Sequence, residues 1–138
     1  MSTDGTRSVM DGYVAALLER GDFARFFADD VVWTTTETGE VITGREAVRD
    51  YILAFHTQAF AARPEVRNLV VGDAGAVLEG DFVGTHTGEF GGVAATGATL
   101  RVPYCVAYDV AGDRITALRA YLPIRAMVAA LSEASVRV

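Results

Sequence analysis

The chain has 138 residues, of which 51% are apolar, and its formal net charge is −6. A chain of this length forms one domain around one core. All its cationic side chains are arginines, and they form no basic stripe that would match a phosphate backbone or an anionic membrane. We therefore expect a single globular domain over residues 1–138 that binds neither nucleic acid nor a membrane.

Cysteine and histidine counts restrict the chemistry further. Cys105 is the single cysteine, so it forms no intramolecular disulfide, and two histidines are too few for a zinc site. We expect no metal, although a site of carboxylates alone stays open. Met1–Arg20 lacks a basic n-region and a continuous apolar h-region, and no apolar run reaches the roughly 20 residues that span a bilayer. These patterns predict a cytoplasmic protein.

Helical periodicity dominates the first part of the chain. Apolar residues recur at i, i+3, i+4, i+7 and i+8 within Asp4–Arg20, which predicts a first helix that ends at Gly21. Asp22 is placed to cap a short, phenylalanine-rich second helix, and a strand is predicted from Val31 to about Thr36. The predicted buried face of the first helix consists of Met10, Tyr13, Val14, Leu17 and Leu18.

A capping box predicts the third helix. Thr43 and Glu46 are three residues apart, so each side chain can satisfy a free backbone N–H group of the other. The predicted buried face of this helix consists of Val48, Tyr51, Ile52 and Phe55. The same spacing predicts a short last helix, whose buried face carries Ile124, Met127, Val128 and Leu131.

Strand patterns dominate the second half. Four strands are predicted, at Val66–Gly72, Ala76–Phe90, Leu100–Val110 and Arg114–Leu122. Two of the three links between them are short, which indicates antiparallel pairing. Gly80 and Gly84 lie inside the longest strand and mark a bend or a close approach of another group. The predicted fold class is α+β: a cone-shaped barrel with N-terminal helices packed on a strongly curved antiparallel sheet, and a short C-terminal helix.

Several segments resemble a known family. Gly12–Leu17, followed by Phe27–Asp30, resembles the first helices of ketosteroid isomerases and of the wider nuclear transport factor 2-like superfamily. Gly84–Phe90 with Ala95–Gly97 is similar to the SnoaL-like polyketide cyclase branch, whose strand also carries a histidine. Gly112–Ile115 matches the last hairpin. The superfamily includes isomerases, cyclases, dehydratases, epoxide hydrolases and non-catalytic binders, so the resemblance implies the fold more than the reaction.

The resemblance also implies positions for an isomerase site. Tyr13 falls where the family places a tyrosine that donates a hydrogen bond to an enolate oxygen, and Tyr104 falls near a second oxyanion donor. Pro103 leaves the strand register open, so Cys105 is the alternative to Tyr104. The family's general base maps onto Thr35, which cannot take up a proton at neutral pH.

His86 is the candidate for acid–base chemistry. Alternation places it on one face of the long strand with Phe82, and the resemblance implies that this face lines a pocket. The alternative is a hydrogen-bonded histidine near the end of the sheet, just as Tyr13 has the alternative of an ordinary core tyrosine. The predicted catalytic residues are His86, Tyr13 and Tyr104, and the predicted substrate-binding residues are Trp33, Thr35, Tyr51, Phe55, Phe82 and Leu118.

The remaining polar residues have plainer interpretations. Glu37 either supplies the missing carboxylate or is solvated, and Cys105 is expected to be a buried, inert thiol. Asp81 and Arg119 alternate away from the pocket face, so we expect them on the outer face of the sheet. His56 is expected at the surface or at the pocket rim.

Together these features predict a cofactor-independent enzyme of cyclase, isomerase or dehydratase type for a hydrophobic carbonyl compound. One alternative is a non-catalytic ligand-binding or dimerisation domain. A second is an epoxide hydrolase, which requires acids and an arginine inside the pocket. The resemblance also implies a homodimer through the convex sheet, where Val77, Val83 and Tyr121 alternate outward.

Overall fold

The computed structural model describes residues 2–136 and shows a curved sheet with helices packed on it. Helix α1 is followed by a 3₁₀ turn, helix α2 by a π-helical turn, and helix α3 comes last. The helical segments are α1 (Thr3–Leu18), the 3₁₀ turn (Phe23–Phe26), α2 (Arg45–Ala54), the π turn (Phe55–Ala59) and α3 (Ile124–Val136). The strands are β1 (Phe27–Thr35), β2 (Glu40–Thr43), β3 (Phe60–Ala62), β4 (Glu65–Val71), β5 (Gly75–His86), β6 (Thr99–Ala111) and β7 (Arg114–Tyr121).

The seven strands form one mixed sheet in the order β2-β1-β7-β6-β5-β3, and β4 also pairs with β5. The predicted antiparallel pairing holds for β4 to β7, and the α+β cone is confirmed. One pairing differs from the antiparallel expectation, because β1 runs parallel to β7. Short links predict pairing between consecutive strands only, whereas β1 and β7 are distant in sequence.

Two apolar clusters fill the concave side of the sheet. The main core packs α1 and α2 against β1, β6 and β7, and the predicted residues Met10, Tyr13, Val48 and Ile52 belong to it. The second cluster lies under α3, where Met127 and Leu131 are fully buried. No helix within residues 2–136 is long and apolar enough to cross a bilayer.

The predicted capping box of α2 is wrong. Thr43 is the last residue of β2 and pairs with Val32, so its backbone belongs to the sheet. The helix instead follows Gly44, whose φ of 105° suits glycine and whose amide donates to the Val31 carbonyl oxygen. No side chain caps this helix at its start.

Gly80 is a point of close approach, as predicted. A Cβ atom there would lie 2.4 Å from the carbonyl oxygen of Glu65, where β4 carries a bulge between Val66 and Asn68. The bulge bends β4 against β5 and adds to the curvature of the sheet. The long strand ends at His86, earlier than predicted, because the amides of Thr87 and Gly88 turn to the Ala59 carbonyl oxygen.

Candidate functional site

The register of β6 places Tyr104 on the concave face. Tyr104 lies opposite Gly80 and packs against both apolar clusters. Cys105 pairs with Glu79 on the other side, where partial burial and the Glu79 carboxylate raise the pKa of its thiol. Tyr104 is therefore the inward residue of the two, and the half-buried Cys105 faces outward.

Three phenols share the interior. The ring of Tyr13 lies 5.7 Å from that of Tyr108, and burial raises the pKa of both hydroxyl groups well above the usual range. Burial, and next the charge of Asp81, raises the pKa of Tyr104 to about 12. All three phenols are therefore protonated donors at neutral pH. Sequence reasoning did not select Tyr108, although it shares the inward alternation of Tyr104 along β6.

Thr35 anchors a hydrogen-bonded group at the end of β1. The indole Nε1 of Trp33 donates to Thr35 Oγ1 at 2.9 Å, and the Tyr51 hydroxyl lies 3.5 Å from the same oxygen. Tyr51 also donates to a carboxylate oxygen of Glu40 at 3.0 Å. The position that the resemblance assigns to a general base thus holds a hydroxyl engaged by its neighbours.

Phenylalanines fill the space between α2 and β5. The ring of Phe55 stacks on Phe82 at 4.9 Å and on Phe90 at 5.6 Å. Phe60 lies edge-on to Phe82 at 5.1 Å, and its ring is 5.5 Å from the imidazole of His86. Phe55, Phe82 and His86 therefore belong to one aromatic assembly that includes Phe60 and Phe90.

His86 is fully buried and holds the loop that joins β5 to β6. Its Nδ1 accepts the backbone N–H of Thr96 at 3.1 Å, and Thr96 Oγ1 is 3.0 Å from the same atom. A proton on Nδ1 would face the Thr96 N–H group, so the neutral ring carries its proton on Nε2. Nε2 is buried and has no hydrogen-bond partner within residues 2–136.

The predicted site residues form separate groups. Tyr13 and Leu118 lie in the main core, Trp33 and Thr35 join Tyr51, and Phe82 with Phe55 leads to His86. Tyr104 and Phe55 pack against both clusters and connect them. The structure thus brings most of the predicted residues into one interior, although Tyr13 and His86 lie in different parts of it.

Side chains close this interior in the present conformation. Only 2% of Thr35 and 1% of Phe82 and of Leu118 are exposed, which leaves no room for a guest molecule between them. A depression of about 400 Å³ opens above the aromatic assembly, and we call it the mouth. The mouth is lined by Tyr51, Ala54, Phe55, Gln58, Ala59, Gly88, Glu89 and Phe90.

The charged candidates lie outside the interior. Asp81 pairs with Arg67 at 3.5 Å and Arg101 at 3.2 Å, and Arg119 pairs with Asp109 at 2.9 Å, all as predicted for the outer face. No acidic side chain within residues 2–136 is buried, so these residues contain no interior acid–arginine set for opening an epoxide.

Glu37 has a structural role that sequence reasoning missed. Its carboxylate accepts the backbone N–H of Arg125 at 2.8 Å, which places an anion at the start of α3. Glu37 is exposed, so it does not supply the missing interior carboxylate.

Helices packed on a strongly curved sheet make this protein a cone-shaped α+β protein. Its concave side carries phenols and an imidazole. The chain belongs to the SnoaL-like domain family, whose profile matches residues 10–118. No curated protein sequence matches it.

Solved structures share the fold. A candidate SnoaL-like polyketide cyclase from Jannaschia sp. CCS1 has a TM-score of 0.80 and 18% identity, covering 91% of this chain and 92% of its own. A candidate polyketide cyclase from Xanthomonas campestris pv. campestris has a TM-score of 0.77 and 19% identity over 92% and 96% of the two chains. A candidate ketosteroid isomerase from Kribbella flavida DSM 17836 has a TM-score of 0.67 and 21% identity over 88% and 79%. At these identities the likeness shows the fold alone.

Proposed function

We propose that this protein is a cofactor-independent enzyme of cyclase or isomerase type that acts on a hydrophobic carbonyl compound. The ligand enters through the mouth and reaches the aromatic assembly when Phe55 and Phe90 separate. Such a pocket needs aromatic walls and a few polar groups that face the guest. The proposal follows the family's fold and depends on one feature of the interior.

That feature is the unpaired Nε2–H of His86. A buried donor without a partner costs about 1–3 kcal/mol, so buried polar groups are nearly always paired. A carbonyl oxygen supplied by a ligand would remove this cost. The hydrogen bond would strengthen as negative charge develops on the oxygen, which is how an oxyanion donor accelerates enolisation or carbon–carbon bond formation.

The hydrogen bonds of the His86 ring favour a role as hydrogen-bond donor over acid–base catalysis. Its proton is on Nε2 and its Nδ1 lone pair is engaged by Thr96, so the ring polarises the carbonyl and does not abstract a proton. Tyr104, whose hydroxyl is protonated at neutral pH, is the second donor. With no buried carboxylate in residues 2–136, the site suits a carbon acid flanked by two carbonyl groups, which is acidic enough to lose its proton to solvent water before it binds as the enolate. This favours cyclisation over isomerisation of a simple ketone.

The test compares His86→Leu, which removes the donor at similar volume, with His56→Leu, the same substitution at the other histidine. Both variants are assayed with 1,3-diketones and linear polyketones, with turnover followed by absorbance and NMR. We expect His86→Leu to lower kcat by about 10²–10³-fold, the usual effect of losing one oxyanion donor, while ligand binding persists. His56→Leu should leave kcat unchanged. Unchanged turnover in His86→Leu would reject the assignment.

A non-catalytic binder is the second candidate, supported by the engaged hydroxyl of Thr35 and the closed interior. In that case compounds of the panel would bind, and His86→Leu would weaken their binding, but none would be converted. The tautomer can be checked without any substrate, because ¹⁵N-histidine spectra should show the proton of neutral His86 on Nε2.

A further inference from the structure

Hydrogen bonds join the two segments that form the walls of the mouth. Thr87 Oγ1 donates to the Gln58 carbonyl oxygen at 3.1 Å, and the amides of Thr87 and Gly88 donate to the Ala59 carbonyl oxygen. These bonds join the π-helical turn to the loop after β5. A Cβ atom on Gly88 would lie 2.4 Å from the Gln58 carbonyl oxygen, so only glycine fits there. The mouth is therefore a defined site and not a gap between two unattached segments.

Aromatic rings line this site. Phe55 is stacked between Phe82 and Phe90, so its two faces are covered. Phe90 and Tyr51, both half-buried, are the rings of the wall that a ligand in the mouth can contact. The faces of aromatic rings carry partial negative charge and attract cations within about 6 Å of the ring centroid. Such a wall is suited to an organic ammonium group, whose methyl or methylene groups also gain from apolar contact.

The charges around the mouth have the matching sign. One oxygen of Glu89 accepts the Gly92 N–H at 2.7 Å, and its second oxygen has no partner in the described part of the chain. The Glu40 carboxylate accepts a hydrogen bond from the hydroxyl of Tyr51, one of the lining residues. None of the eight lining residues is cationic. Ring faces and carboxylate together are therefore complementary to a positive group.

We propose that the mouth binds the ammonium group of a cationic small molecule, against the rings of Phe90 and Tyr51 and beside the carboxylate of Glu89. This inference rests on the proposed function, in which the carbonyl end of the same ligand passes inward to His86. It adds the substrate class: an amine-bearing carbonyl compound.

Choline and its uncharged isostere 3,3-dimethylbutan-1-ol are suitable probes because they differ mainly in charge. Both are titrated into the full chain by NMR. We expect choline to bind about tenfold more tightly, with shifts centred on Gly88, Glu89 and Phe90. Glu89→Gln keeps an oxygen for the Gly92 amide but loses the charge. It should therefore lower the affinity for choline about fivefold and leave the affinity for the isostere unchanged. Glu79→Gln removes one charge from the outer face of β5 and is the matched control.

Equal affinities for the two probes, no choline binding at millimolar concentration, or an unchanged affinity in Glu89→Gln would each overturn the proposal. Failure of this proposal can be distinguished from failure of the proposed function, because the two depend on different residues. His86→Leu should lower kcat without changing the affinity for choline, whereas Glu89→Gln should weaken the binding of choline and of cationic substrates.

Discussion

His56 lies in the π-helical turn, half-buried beside Phe55 and Phe82. Burial, and next the charge of Arg20, lowers the pKa of its imidazole to about 4. It does not line the mouth but a second depression between the end of α1 and α2, which Leu17 and Ile52 also line, and its unusual pKa depends on this packing. An imidazole with this pKa is neutral at physiological pH.

This pKa predicts a pH dependence of stability. Between about pH 6.5 and pH 4 the imidazole is protonated in the unfolded chain, where its pKa is near 6.5, but neutral in the folded protein. Because the unfolded state binds the extra proton, acidification favours unfolding. We expect the wild-type protein to lose about 2 kcal/mol more than His56→Gln between pH 7 and about pH 4.5. Urea unfolding at both pH values measures this difference, and parallel losses in the two proteins would contradict it.

At the scale of elements, the pairing of β4 with β5 depends on a residue without a side chain. Gly80 faces the bulge of β4, where a Cβ atom would meet the Glu65 carbonyl oxygen. Backbone cannot move aside as a flexible side chain does. The curvature that gives the cone its shape therefore has a local steric requirement at this position.

Gly80→Ala should lower the free energy of unfolding by about 1–3 kcal/mol, the usual cost of overpacking. Gly72→Ala is the matched control, because its Cβ atom would meet its nearest neighbour at 3.7 Å and its backbone is not in the left-handed region. Thermal and urea unfolding of the two variants compare them directly. Equal stabilities would show that the bulge relaxes freely.

At the scale of the whole molecule, the convex face of the sheet carries exposed apolar side chains. Val70 is 59% exposed, its cross-strand partner Val77 40%, and Tyr121 on β7 51%. Such a patch on a small protein often marks an interaction surface. Consistent with the family resemblance, we propose that the protein forms a homodimer through this face.

Val77→Glu should therefore shift the protein to a monomer, because two copies would bury like charges against each other. Light scattering across a concentration series measures the mass. Val41→Glu is the control, since Val41 is also an exposed valine, at 59%, but lies on β2 at the far edge of the sheet. A wild-type protein that stays monomeric at high concentration would rule out this dimer.

Local patterns predicted much of this molecule. The period of two along β5 placed Phe82 and His86 on the buried face and Asp81 on the outer one. The helical spacing found the buried Met10 and Tyr13 of α1 and Met127 and Leu131 of α3, whereas Leu18, also predicted to be buried, is 41% exposed. These predictions succeed because burial repeats with the period of the element itself. The short strands β2 and β3 were missed, since three or four residues are too few to show a period.

The sequence by itself determined the α+β class, the order of the long elements and the inward position of His86, because each follows from interactions between near neighbours. Only the tertiary structure decided that β1 joins β7 in parallel, that Tyr104 and not Cys105 faces inward, and that Thr96 leaves the proton of His86 on Nε2. Each of these depends on which distant segment supplies the partner for a hydrogen bond, and such pairings leave no period in the chain.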